Sequence, residues 1–202
     1  MTFNYIALTL TSLLILTSCS DPKPTSNNQS FDHPERSRTS AEDFAAYVNP
    51  FVGTKNMGHT YPGATVPFGM VQATPLTNYE PLFEDGQYNP DTYRYCSGYQ
   101  YEDSLIFGFC HTSFSGTGHS DLGDIVLMPT TGPLNLNPKT KDDQIGFASS
   151  FSHEGEAASP GFYAVELKNY NVDVQITASE RAAYHEYTYP STDNAHVLLD
   201  LV

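Results

Sequence analysis

Apolar residues recur at every second position through the C-terminal part of this chain, and nowhere over a long stretch at the spacing of a helix. Tyr163, Val165 and Leu167 alternate with other residues, and Val172, Val174, Ile176 and Ala178 do so more cleanly. Lys168-Asn169-Tyr170-Asn171 between them reads as a turn. Two further runs, Ala183 to Tyr189 and His196 to Val202, continue the pattern. The four segments are expected to form an antiparallel meander. Another strand is expected over 124–129, closed by Pro129, which has no N–H to give to a ladder. Strands with one apolar face must bury it against a second sheet. The expectation is therefore all-β, a many-stranded antiparallel β-sandwich, with no internal repeat.

The N-terminus is built differently. Its apolar run from Ile6 to Leu16 is shorter than the roughly 20 residues of a spanning helix, and suits the core of a signal peptide. Leu16-Thr17-Ser18-Cys19 has the form of a bacterial lipoprotein box, in which Cys19 is acylated and becomes the mature N-terminus. Several acyl chains together give stable membrane attachment. The segment before the run carries neither Lys nor Arg, and a plain secretory signal is the alternative. Residues 1–19 are thus assigned as leader. Residues 20–40 are polar, with Pro, Ser and Asn, and bury too little to offset their ordering entropy, so they form a flexible tether. The domain is expected over 41–202. Ser40 to Asp43 matches a capping box ahead of Phe44 to Val48, which predicts a helix of two turns or fewer. Leu198 to Val202 end in mid-strand, so the core is expected to be completed by further sequence.

Without its leader the chain keeps roughly 180 residues, enough for one real core. Nine basic against 23 acidic residues give a formal charge of −14, which repels phosphate backbones and argues against nucleic acid as a partner. The sequence has 14 Tyr and 12 Phe but no Trp, and a tyrosine ring offers a sugar both an apolar face and a hydroxyl. Cys96 and Cys110 could pair after export or remain buried thiols, and the sequence leaves both open.

Two segments carry the chemistry. Residues 49–75 hold four glycines and four prolines, which specify turns. Gly53, Gly58, Gly63 and Gly69 each suggest a positive φ or a close backbone approach. His59, between Gly58 and Thr60, is the functional candidate there. In the second segment Tyr93, Tyr95, Tyr99 and Tyr101 alternate, as four rings on one strand face would, with Arg94, Ser97 and Gln100 among them. Such a stripe serves a core more often than a site, but here a polar loop follows, HTSFSGTGHSDLGD at 111–124. Gly116-Thr117-Gly118 can turn backbone N–H groups outward, and Asp121 and Asp124 can cap the turn. His111, His119 and Asp121 could ligate zinc, but no recognised spacing is present and no metal ligand is assigned. Nucleophile-elbow, P-loop and dinucleotide fingerprints are absent.

Three blocks together resemble glycoside hydrolase family 92: YVNPFVGTKNMGHTYPGATVPFGMVQATP, YCSGYQYEDSLIFGFCHTSFSGTGHSDLGDIVLMP and FSHEGEAASPGFYAVELKNYNVDVQITASERAAYHEYTYP. The resemblance runs over 47–202 almost without gaps. That family comprises calcium-dependent exo-α-mannosidases, many of them surface or periplasmic enzymes of Bacteroidetes. The resemblance implies an N-terminal sandwich packed on an (α/α)6 catalytic barrel, with the mannose pocket at the junction. It also implies an inverting reaction whose acid, base and most Ca2+ ligands lie in the barrel, beyond Val202. This chain alone would then be inactive.

What carries over is substrate binding. Tyr93, Tyr95, Ser97, Ser115, Gly116, Thr117, Gly118, His119 and Asp121 are the expected substrate-binding residues, forming one wall of the pocket. Family members commonly carry tryptophans where this chain has Tyr93 and Tyr95, and the smaller ring stacks more weakly. The expected partners are a mannose-containing glycan and, through Cys19, a membrane, in the periplasm or at the cell surface. The alternative is a non-catalytic surface lipoprotein that binds carbohydrate.

Overall fold

The computed structural model describes residues 43–116, 118, 122–138 and 145–201. The leader, the tether, Cys19 and Ser40 therefore lie outside the described residues, and so do Thr117, His119 and Asp121.

Among the described residues there are thirteen strands and three short 3₁₀ helices. The strands are β1 (Ala64–Thr65), β2 (Gln72–Leu76), β3 (Phe83–Glu84), β4 (Gln87–Tyr88), β5 (Leu105–Ile106), β6 (Gly108–Cys110), β7 (Val126–Thr131), β8 (Ser149–Ser150), β9 (Glu156–Ser159), β10 (Phe162–Leu167), β11 (Val172–Ala178), β12 (Ala183–Thr188) and β13 (Ala195–Asp200). One sheet has the order β1-β2-β6-β7-β13 and the other β12-β11-β10-β9, with β3-β4 and β5-β8 as small pairs. Every pairing is antiparallel. β1 and β2 lie against β10 and β11, so the two sheets face each other as a β-sandwich.

The alternation read in the sequence produces this core. Tyr163, Val165 and Leu167 of β10 and Val172, Val174 and Ile176 of β11 all point inward and are buried. They meet Ala64, Ala73, Ile106, Phe109 and Met128 from the other side. Each large side chain so buried contributes about 1.5–3 kcal/mol of transfer free energy. The turn at 168–171 is formed, with Asn171 in the left-handed region at φ 50°.

Three local expectations are corrected. The meander has three of the four predicted strands, because β13 leaves β12 and pairs with β7 in the other sheet, Val197 opposite Pro129. Periodicity marks a strand but does not choose its neighbour. Pro129 does not close β7, which runs on to Thr131. Pro129 sits opposite Val197 of β13, while β6 pairs with β7 only at Leu127, so the proline has a strand partner on one side alone among the described residues. The first helix is one 3₁₀ turn, Phe44–Tyr47, and its cap is Asp43, whose carboxylate accepts from Ala45 N at 3.1 Å.

The tyrosine stripe is also not a strand face. Asn89 caps a 3₁₀ helix over Pro90–Tyr95, accepting from Asp91 N at 3.1 Å, with Pro90 pre-set for the first turn. The chain then turns, and the four rings go to four places. Tyr93 is 42% exposed, while Tyr99 is fully buried. Tyr95 donates to Asp103 Oδ1 at 3.2 Å, and Tyr101 stacks on His153.

Candidate functional site

The Gly/Pro-rich segment folds over itself through short polar contacts. Thr54 Oγ1 donates to Phe51 O at 2.8 Å, and Thr60 Oγ1 donates to Val52 O at 2.8 Å. Gly58 approaches Gly53 so closely that a Cβ would lie 2.1 Å from its carbonyl oxygen, so only glycine fits. This fold sets His59 at φ 51°, a conformation uncommon outside glycine. The residue is only 6% exposed, and its Nε2 has no hydrogen-bond partner among the described residues. An unpaired buried polar atom costs about 1–3 kcal/mol, so this one has a bond to offer a water or a ligand.

Two other segments close on His59. The Tyr93 ring stands edge-on to it, centroids 4.9 Å apart and planes at 85°. From the polar loop, Gly116 N donates to His59 O at 2.5 Å. Gly116 and Gly118 both have left-handed backbones, at φ 73° and 65°. A Cβ on Gly118 would lie 3.2 Å from the Tyr93 hydroxyl, so the small residue lets loop and ring approach. The loop's base is clasped by Asp124, whose N–H donates to Thr112 Oγ1 at 3.1 Å, while that hydroxyl donates to Asp124 Oδ2 at 3.2 Å.

Next to this rim is a cavity of about 450 Å³, lined among others by Tyr79, Tyr95, Ser97, Ser113, Leu122 and Gly123. Pockets of this size take small molecules. Burial, then neighbouring Asp103, pushes the Tyr95 phenol up to about 12, so it stays a donor. Ser97 is 1% exposed and gives its proton to Thr60 O at 2.9 Å. Its visible role is to hold the His59 segment against the residues after the 3₁₀ helix.

The structure thus gathers Tyr93, Gly116 and Gly118 around His59, and places Tyr95 and Ser97 along the adjoining cavity; Ser115 is exposed on the loop. Both Cys96 and Cys110 are free, buried thiols. Burial pushes the Cys110 thiol up to about 11. Ca2+ takes six to eight oxygen ligands. Among the described residues no group of three or more His, Cys, Asp or Glu could hold an ion, so these residues do not fit a calcium cage.

Two clusters were not legible in the sequence. Glu156 gathers Tyr99, Tyr163 and His153, and His111 meets His185. Their members are up to 74 residues apart, and no local pattern signals either.

Residues 47–202 match the glycosyl hydrolase family 92 N-terminal domain. The GH92 α-mannosidase BT3965 of Bacteroides thetaiotaomicron, also solved in complex with mannoimidazole, is 42% identical, with a TM-score of 0.68 over 78% of this chain and 20% of that one. The GH92 inverting mannosidase BT2199 of the same bacterium is 27% identical, with a TM-score of 0.56 over 78% of this chain and 19% of its own. An uncharacterized secreted glycosidase of Arthroderma benhamiae is 31% identical over 152 residues, 73% of this chain and 18% of that protein. The chain spans about a fifth of the length of these relatives.

Proposed function

This chain belongs to glycoside hydrolase family 92, and from that premise we propose that it is the N-terminal domain of an exported enzyme that removes terminal α-linked mannose from glycans. In this reading the reaction is inverting and calcium-dependent, and this domain supplies one wall of the sugar pocket. The observation that carries the reading is the buried Nε2 of His59, without a partner among the described residues, beside the half-exposed ring of Tyr93.

The chemistry available here is binding. Tyr93 offers a face to the C–H surface of a pyranose, and His59 Nε2 a hydrogen bond to one of its hydroxyls. The Gly116 N–H fixes the His59 backbone, so the ring is in place before the sugar arrives. Inversion needs an acid and a base about 6.5–9.5 Å apart, with water between them. The proposal assigns both, and the calcium ligands, to chain outside this domain, so no proton transfer is assigned to these residues. Bound calcium would hold sugar hydroxyls there. Export and lipid attachment at Cys19 are supported by the leader, and export also by the relative described as secreted.

The test is release of mannose from α-1,2-, α-1,3- and α-1,6-mannobiose by the enzyme carrying this domain, with and without chelator. His59→Asn, which tolerates the left-handed backbone, and Tyr93→Ala are each expected to lower kcat/KM tenfold or more, about 1.4 kcal/mol, without loss of folding. Unchanged kinetics in both variants would leave His59 and Tyr93 with a structural role only. Mannoside binding by this chain without turnover by the enzyme would favour the non-catalytic carbohydrate-binding lipoprotein.

A further inference from the structure

We propose that His111 and His185 form a two-histidine chelate for a divalent ion of the zinc, nickel or copper class, separate from the sugar-binding wall. His111 follows β6 in one sheet, and His185 lies in β12 of the other, opposite Ile176 of β11. Their Nε2 atoms are 3.0 Å apart, with the rings inclined at 34°. Bonds of about 2.0–2.1 Å to one ion, at angles from about 95° to 110°, separate two imidazole nitrogens by about 3.0–3.4 Å. The rings already stand at the near end of that range.

What anchors the rings supports the assignment. Metal-bound histidines characteristically fix their second nitrogen on a carbonyl or another polar group. His111 Nδ1 bonds the carbonyl of Ile125 at 2.7 Å, which leaves its Nε2 with a free lone pair when that ring is neutral. Ile125 presents this carbonyl from φ 55°, a costly backbone for a β-branched residue. His185 Nδ1 lies 2.9 Å from the Tyr187 hydroxyl. Burial, and then the neighbouring His111, holds His185 down to about 4, so it is neutral and able to ligate at physiological pH.

The exchange on binding balances. Without an ion, His185 Nε2–H donates to His111 Nε2, and Tyr187 O–H donates to His185 Nδ1. With an ion bound, the His185 proton moves from Nε2 to Nδ1, and the Tyr187 oxygen turns from donor to acceptor. Both Nε2 lone pairs then face the metal, and no proton is released. Both histidines are partly exposed, so water can fill the remaining positions. Imidazole ligands select zinc, nickel or copper over calcium or magnesium.

Titration calorimetry on the tag-free, chelator-stripped chain would test this with zinc chloride and, in parallel, calcium chloride. One zinc ion per chain is expected. His111→Gln or His185→Gln should weaken that binding at least tenfold, and calcium should not compete. Zinc binding that is absent, or equal in both variants, would overturn the proposal. Should the variants not fold, long-range nitrogen–proton NMR of the unsubstituted chain decides: zinc must shift both Nε2 resonances and put the His185 proton on Nδ1. Unmoved Nε2 signals would refute it.

Discussion

The Tyr163 hydroxyl donates to Glu156 Oε1 at 2.7 Å, bonding a carboxylate whose side chain has no exposed surface. Tyr99 reaches the same carboxylate at 3.0 and 3.1 Å, and His153 Nδ1 lies 2.6 Å from Oε2. His153 Nε2 lies 2.6 Å from the Tyr101 carbonyl, and the Tyr101 and His153 rings stack 3.8 Å apart. Burial and then Glu156 push the phenols of Tyr99 and Tyr163 well above 10, so both remain donors. One buried carboxyl group thus ties the residues after the Pro90–Tyr95 helix to β9 and β10.

Removing that carboxylate leaves the Tyr99 and Tyr163 hydroxyls without their acceptor and His153 Nδ1 without its partner. Glu156→Ala is expected to cost about 3–5 kcal/mol, and Glu156→Gln, which keeps one acceptor oxygen, about 1–3 kcal/mol. Urea unfolding measures both. A loss under about 1 kcal/mol for Glu156→Ala would mean that this network contributes little to stability.

Stability should fall in acid because of His185. Its pKa is about 4 in the folded chain against 6.5 ordinarily, through burial first and His111 second. Between those values the unfolded chain binds a proton that the folded chain refuses. The contribution is therefore complete above pH 6.5 and is lost as pH falls from 6.5 towards 4. With the ring partly open to solvent and facing His111 and Tyr187, the change is about 1–2 kcal/mol. Unfolding curves across that range, compared with His185→Gln, isolate it; parallel curves would contradict the assignment.

Gly63 is required by space rather than by φ. A Cβ there would lie 2.2 Å from the Ala73 carbonyl oxygen and 2.7 Å from Thr74 Cα, both backbone atoms of β2. Gly63→Ala must push β1 from β2 and should cost about 2–4 kcal/mol. Gly86→Ala, with open space around it, should cost only the roughly 1 kcal/mol of a left-handed backbone, φ 77°. Thermal melts of the two variants should differ accordingly, and equal melting points would count against the close approach.

Neither internal cysteine should react in the native state. Cys96 is 3% exposed and Cys110 is fully buried, and burial also raises both thiols. Mass spectrometry after iodoacetamide at neutral pH should find both unlabelled, and both labelled in urea without reductant. Labelling in urea only after reduction would reveal a disulfide instead.

The parts of this protein that could be read from sequence are those whose causes are local. Alternation over 163–178 specified β10, β11 and the turn between them, because a strand's faces are set by residues two apart. The local signal at Asn89-Pro90 was also present, yet alternation over 93–101 outweighed it, and a capped 3₁₀ helix was read as strand. His59 stood out as a candidate by its place in the Gly/Pro-rich segment, and the structure adds its left-handed backbone and its burial.

Composition and pattern by themselves determined an acidic, all-β domain, and the motif blocks determined its family. Tertiary structure alone decided that β13 joins β7, that the four tyrosines part company, and that His111 meets His185 rather than standing alone in its loop. The physical reason is one of range. Propensity and periodicity act over a few residues, whereas pairing and the gathering of polar groups depend on which distant surfaces exclude water together.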